Sequence, residues 1–391
     1  MTIIEIFNNI ANSIRSKLGI SSKITPSNYS NEINKIVTNT TTNYTKSGSS
    51  SCKCEGVAKY SGDITNLSIG ICDLDSTAIN TYALFSGGLT NESSIYSATT
   101  ITYTSNLVKG TATDLSQARC NMGSTTVGNY ALFGGGNYNG LNYKATVDSY
   151  NSSLTHGNPT ELSVPKAYLA ATTVGSYALF PSGWSNGNSS CIVDTYSKTL
   201  TKGTAQNLDI FRHETMSTTV GNYALFTGDS AYSSSVETYT STLVHGTADS
   251  LNEPKFRGDA GAVGSYALFI GGYIKGESTS ESVVTKTIDT YNTSLTHGSA
   301  TKLTRGGGFL SSATVSNHII ITSGSTADYV NYHEVDAYDS TLVKLSAPDI
   351  STRRSCISGS AIGKYALFVG GAPHSTSGIK YTNVDVYYIL S

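Results

Sequence analysis

Four residues, Tyr-Ala-Leu-Phe, recur along the chain. Copies begin at Tyr82, Tyr130, Tyr177, Tyr223, Tyr266 and Tyr365, and a degenerate His-Ile-Ile-Ile copy begins at His318. Successive starts are 48, 47, 46, 43, 52 and 47 residues apart. Most copies follow a Thr/Ser-rich run and a Val-Gly-Asn or Val-Gly-Ser turn, and several run into Gly-Gly. A short apolar run bounded by turn residues predicts a strand covered on both faces. A second landmark is a Val-Asp-x-Tyr-like strand with its tyrosine at Tyr103, Tyr150, Tyr196, Tyr239, Tyr291, Tyr338 and Tyr387. From each of the first six to the next Tyr-Ala-Leu-Phe start is 27 residues. All variation in length falls between the two landmarks.

The pattern predicts four strands per repeat. Strand one is the Thr-Thr-Val run, Ser124 to Val127 in the second copy. Strand two is Tyr-Ala-Leu-Phe, strand three is Val-Asp-x-Tyr, and strand four follows at Leu154 to His156. A repeat of this length with four strands is one blade of a propeller, and seven copies make seven blades. The last copy stops after strand three, at Val386 to Ser391, and the first starts late. The segment Gly56 to Ser61 is therefore expected to complete the last sheet, leaving no open edge.

These features resemble the kelch family over residues 56–391. The resemblance rests on Gly87-Gly88, Gly135-Gly136, Gly271-Gly272 and Gly370-Gly371, each followed by the Val-Asp-x-Tyr strand. The family's tryptophan on strand four is missing, with Leu154, Leu200, Leu243, Leu295 and Leu342 nearby. Ser182-Gly183 and Gly228-Asp229 replace Gly-Gly in two copies. The expected fold is an all-β, seven-bladed kelch-like propeller closed by its terminal strands.

Residues 1–36 follow a different period. Ile4, Phe7, Ala11, Ile14 and Leu18 are spaced as one stripe of a helix ending at Gly19. Thr25-Pro26 then reads as a cap and first turn of a second helix carrying Tyr29, Ile33 and Ile36. Such short helices need something to pack on. Residues 37–55 are Thr/Ser/Asn-rich and read as a flexible tether. The pattern IANSIRSKLG followed by ITPSNYSNEINKI is similar to the N-terminal module of tail and baseplate proteins of phages with Clostridium-type hosts. This resemblance implies attachment to a baseplate or tail protein through the helices, with homo-oligomerisation there as a further option. It also implies location on a virion tail or tail-like particle released by lysis.

Charged residues are 13% of the chain and the net charge is −2, which argues against nucleic-acid and polybasic membrane binding. No secretory signal or membrane span is read in the sequence. The six cysteines are scattered and read as free thiols. No metal or other cofactor is expected.

Candidate chemistry is repetitive. His156, His245 and His297 occupy one repeat position, where other copies carry Lys109, Lys202 and Lys344. That position reads as a solvated basic site. Asp148, Asp194, Glu237, Asp289, Asp336 and Asp385 recur two before the tyrosine, and Arg119, Lys166, Arg212, Lys255 and Arg354 recur eleven before Tyr-Ala-Leu-Phe. They are expected to pair structurally, because a catalytic set breaks repeat symmetry. His213-Glu214 is singular but has no evident partner.

The variable loops between strands two and three mark the expected binding face. Candidate ligand residues there are Tyr138, Asn139, Tyr143, Trp184, Asn186, Tyr232, Tyr273, Lys275 and His374. Aromatic rings and amides suit a glycan or a surface protein. The sequence-level expectation is a non-enzymatic receptor-binding protein of a phage tail. A structural virion scaffold is the alternative and a surface-polysaccharide hydrolase the third reading.

Overall fold

Each Tyr-Ala-Leu-Phe run sends its leucine to one face of its sheet and its alanine and phenylalanine to the other, as the two-residue period of a strand requires. Leu84 packs with Ala131, Phe133 and Tyr150 of the following copy. Leu132 packs in the same way with Ala178, Phe180 and Tyr196. The series runs on until Leu367 meets Ala83, Phe85 and Tyr103 of the first copy. Seven such interfaces close a circle.

The structure is a computed structural model. It describes residues 56–90, 95–229, 231–276, 282–322, 324–328, 330–373 and 378–390. The chain divides into two units, residues 1–53 and 54–391. The two helices expected over 1–36 and the whole of the tether, 37–55, fall outside the described residues, which contain no α-helix.

Seven four-stranded antiparallel sheets make a β-propeller. Blade 2 runs Gly123–Val127, Tyr130–Gly134, Val147–Asn151 and His156–Gly157. The inner strands of neighbouring blades touch in an unbroken ring around a central channel. The Thr/Ser richness of these strands has a cause beyond β propensity. Ser124 Oγ donates to the Ser76 carbonyl at 2.8 Å, Thr126 Oγ1 to Ala78 at 2.8 Å, and Thr219 Oγ1 to Thr173 at 2.9 Å. Side-chain hydroxyls thereby satisfy inward-facing carbonyls from blade to blade.

The seam closes as expected. Gly56–Lys59 pairs antiparallel with Val384–Leu390, with Val57 opposite Ile389 and Lys59 opposite Tyr387. The leucines near strand four are not in the strand. Leu154, Leu200, Leu243, Leu295 and Leu342 all sit in the preceding turn with φ between 60° and 66°. There their side chains pack against the blade interface. The strand begins only at the following basic residue, as at His156 and Lys202.

In five blades the recurrent acid and base pair with each other. Arg119 contacts Asp148, Lys255 lies 2.7 Å from Asp289, and Arg354 lies 2.6 Å from Asp385, all with buried side chains. The histidine position is more than a solvated basic site. His156, His245 and His297 hydrogen-bond Asp148, Glu237 and Asp289 at 2.6, 2.9 and 2.8 Å. They place a second donor over the same acid. Blade 1 has Ile71 and Ile101 at the base and acid positions, both buried, and blade 6 has Gly307 at the base position, with Asp336 met by Lys344.

Candidate functional site

The position nine residues before each Tyr-Ala-Leu-Phe start holds Asp73, Asn121, Tyr168, Glu214, Arg257, Phe309 and Cys356. No two are alike, although the next position is apolar in five of the seven copies. All seven have positive φ, between 52° and 57°. A non-glycine residue in this region is strained, and glycine adopts it readily. In a glycine-rich chain, none of the seven copies uses glycine here. The side chains are kept at a conformational cost, and all seven line one funnel at the mouth of the channel.

Backbone hydrogen bonds join four of the seven neighbouring pairs in the ring. Tyr168 N donates to the Asn121 carbonyl at 3.0 Å, Glu214 N to Tyr168 at 2.9 Å, Phe309 N to Arg257 at 2.8 Å, and Asp73 N to Cys356 at 3.3 Å. One residue further along, Leu74, Met122, Leu169, Leu310 and Ile357 form an apolar collar, interrupted by Thr215 and Gly258. The funnel above has a volume of about 290 Å³. Below it the channel is lined by small residues and serines and holds two carboxyl groups, Asp75 and Asp259.

The ring is electrostatically uneven. Arg257 Nη2 contacts Glu214 Oε1, and the guanidinium lies 5.0 Å over the Phe309 ring. Its side chain is 39% exposed, so guanidinium donors remain open to the funnel. On the opposite wall the Cys72 thiol donates to Asp73 Oδ2 at 3.2 Å, and the Cys356 thiol also hydrogen-bonds Asp73. Burial pushes both thiols up, so they stay protonated as donors. Asp75 accepts the Met122 backbone N–H at 2.9 Å. Desolvation lifts its carboxyl to about 7, with Asp73 adding to the rise. Asp259 is raised to about 6, again by burial. Burial raises the Tyr168 phenol too, with help from Cys120 and Glu214, so it remains a hydroxyl donor.

The loops between strands two and three open on the same face, as the sequence implied. Trp184 bridges to Ala167, Asn137 to Cys120, and Tyr273 to Phe256, each in the segment entering its own blade. Their candidate residues nonetheless stand on separate loops outside the funnel, and none lines it. Tyr138, Asn139, Asn186 and Lys275 are exposed, while Tyr143, Trp184 and Tyr232 are half-buried. Tyr273 is a correction. It is 5% exposed and packs between Phe256 and Phe309, with ring centroids at 5.7 and 6.0 Å. It supports the ring instead of facing a ligand. His374 lies outside the described residues. Trp184 packs against His213 with the rings tilted and their centroids 4.6 Å apart, next to Glu214. The singular His213-Glu214 pair therefore does have partners, supplied by other blades.

No protein-family profile matches the chain, and no curated protein matches it. Solved structures do. One is described as a novel fungal alcohol oxidase with catalytic diversity among the AA5 family, in complex with copper. It has a TM-score of 0.63 and 12% identity, covering 84% of this chain and 76% of that one. Another, described as the structure of YjhT, has a TM-score of 0.55 and 12% identity, covering 68% of this chain and 93% of that one. Likeness at this identity establishes the propeller fold.

It also corrects the expectation of a non-enzymatic receptor-binding protein. That expectation took a propeller with per-blade repetition as a reason against catalysis, and an oxidase is among the structures that share the fold. The repetition argument also fails locally, because the seven funnel residues break the symmetry.

The oxidase's copper does not carry over. No histidine lines the funnel, and imidazole is a usual copper ligand. Among the described residues, the one group of three donors close enough for a metal is Asp209, Glu237 and His245. Its Glu237 is already held by Arg212 at 3.1 Å and His245 at 2.9 Å.

Proposed function

We propose that the protein is an enzyme acting on a small polar molecule in the funnel by acid–base chemistry. The observation that carries this reading is the ring of seven unlike residues held in a conformation that favours glycine. A scaffold would not need such side chains, and a ring built only for closure would repeat. Glu214 and Arg257 present an acceptor and several donors side by side and would orient the ligand. Asp75, at about 7, is poised to give or take a proton near neutrality. Within this reading the repeats are of kelch type, supported by the Gly-Gly turns that bring Gly87 and Gly135 against the carbonyls of Arg119 and Lys166.

The test is depletion of substrate. Purified protein is incubated with a deproteinised extract of small metabolites, and the compounds are followed by mass spectrometry. Wild type should convert a discrete compound. Arg257→Ala, which removes the orienting donors, should slow that conversion by about 10²-fold or more with an unchanged circular dichroism spectrum. Conversion that is equally fast in Arg257→Ala, or no conversion from any extract, counts against the funnel as an active site.

A further inference from the structure

Acids buried in the blades of this protein have cations. Asp148 has Arg119 and His156, Asp194 has Lys166 and Lys202, Glu237 has Arg212 and His245, and Asp289 has Lys255 and His297. Asp385 has Arg354 and Lys59, and Asp336 has Lys344 at 2.8 Å. Glu214, in the funnel, has Arg257. Asp73, Asp75 and Asp259 differ: among the described residues none of them has a cation at ion-pair distance. Asp259, deeper in the channel, is met by side-chain and backbone hydrogen bonds from Ser312. Asp73 and Asp75 line the funnel on the same wall, two residues apart. Asp73 is held by thiols, which are weak donors. Asp75 has a backbone amide. A partly desolvated carboxylate with only weak donors is a position of unmet charge.

We propose that the funnel's substrate carries an amine, whose ammonium group seats on Asp73 beside Asp75. This rests on the funnel being the active site. The cavity has room for one small molecule, and the ring's formal charges (Asp73 and Glu214 against Arg257) leave an excess of one negative charge. That excess opposes an anionic substrate and favours a cation. A divalent metal is a poorer occupant. Among the described residues no group of three metal donors gathers at Asp73, and a metal site needs more donors than Asp73 and Asp75 supply. An ammonium needs only two or three acceptors. It would also compete with the Cys72 and Cys356 protons for the Asp73 oxygens, so binding and thiol position are coupled.

The test uses the full chain and probes matched in skeleton but not in charge. The first set is glucosamine, glucose and glucuronate, and the second is cyclohexylmethylamine, cyclohexylmethanol and cyclohexanecarboxylate. Binding is read by saturation-transfer NMR. Within at least one skeleton the amine should bind 10-fold or more tighter than the alcohol, and the carboxylate weakest. Asp73→Asn should abolish that preference, and Asp73→Glu, which keeps the charge, should retain part of it. Alcohols or carboxylates that bind as well as the amines, with binding lost in Arg257→Ala, overturn the amine but leave the funnel standing. An amine that binds equally to wild type, Asp73→Asn and Arg257→Ala is bound elsewhere and overturns both. No binding by either amine also overturns the amine inference, and the substrate-depletion experiment then decides the funnel separately.

Discussion

Arg119→Ala should lower the stability of the propeller by about 3–5 kcal/mol, because it leaves Asp148 buried without its main counter-charge. Both side chains are fully buried, and Arg119 Nη2 contacts Asp148 Oδ2 while also donating to the Phe133 carbonyl at 3.3 Å. Three groups hold the Asp148 carboxyl below the ordinary carboxylate range against the effect of burial: the Arg119 charge, the Ser116 amide and His156. His156 remains after the substitution and sets the lower end of the expected loss. Blade 1 supplies the control. It carries Ile71 and Ile101 at the same two positions and closes equally well. The double variant Arg119→Ile/Asp148→Ile should therefore be more stable than Arg119→Ala alone, although it removes one more polar partner. Urea unfolding midpoints of the three proteins decide the matter. A double variant no better than the single one would mean that the pair acts through its hydrogen bonds to the backbone and not through charge balance.

The same comparison shows what was legible in the sequence. Seven blades, the closing strand at Gly56–Lys59 and the acid–base pairs follow from repetition, since each rests on residue types that recur at fixed spacing. Burial of Tyr150 and its equivalents is implied by the same repetition, and Tyr150 OH reaches the Thr113 carbonyl at 2.7 Å. Leu154 was misplaced because a leucine beside a strand pattern reads as strand. Only the structure shows that it stands at φ 60° in a turn. The funnel was missed for a related reason. The loops of variable length carry the conspicuous aromatics, such as Tyr138 and Trp184. The funnel residues occur one per blade at a fixed offset from the Tyr-Ala-Leu-Phe strand, in a stretch that also varies at the position before them, so in the sequence they look like noise. The available signal was a fixed position, inside the interval of constant length, where every copy differs. Tyr273 shows the converse. It looked like a loop aromatic, and packing against Phe256 and Phe309 makes it part of the wall behind Arg257.

Asp75→Asn should separate the role of this carboxyl in catalysis from its effect on stability. In the folded chain the group keeps its proton up to about pH 7, against 3.8 for an unperturbed aspartate. Between those values the folded state binds more protons than the unfolded state, so this residue makes stability fall as pH rises, and the loss is complete above about 7. Asparagine cannot ionise and still offers an oxygen to the Met122 amide. The variant should therefore match wild type near pH 3. It should be the more stable protein at pH 8, and the rise from 3.8 to about 7 sets a ceiling of about 4 kcal/mol. Asp148, Asp289 and Asp385 act in the opposite sense. Their carboxyls are held low, so their contribution is present above about pH 4 and is lost as pH falls through their folded values. Because they are common to both proteins, the difference between variant and wild type isolates Asp75. Conversion of the funnel's substrate should fall by about 10²-fold or more in the variant while binding persists, since the lost group is a proton donor and acceptor and not an anchor. Thermal unfolding of both proteins from pH 3 to 9, beside turnover at pH 7, gives both readings. A variant equally stable at every pH would show that Asp75 ionises normally, and the acid–base role would have to move to another carboxyl of the funnel. A variant stabilised at high pH with full activity would leave Asp75 as a strained wall residue only.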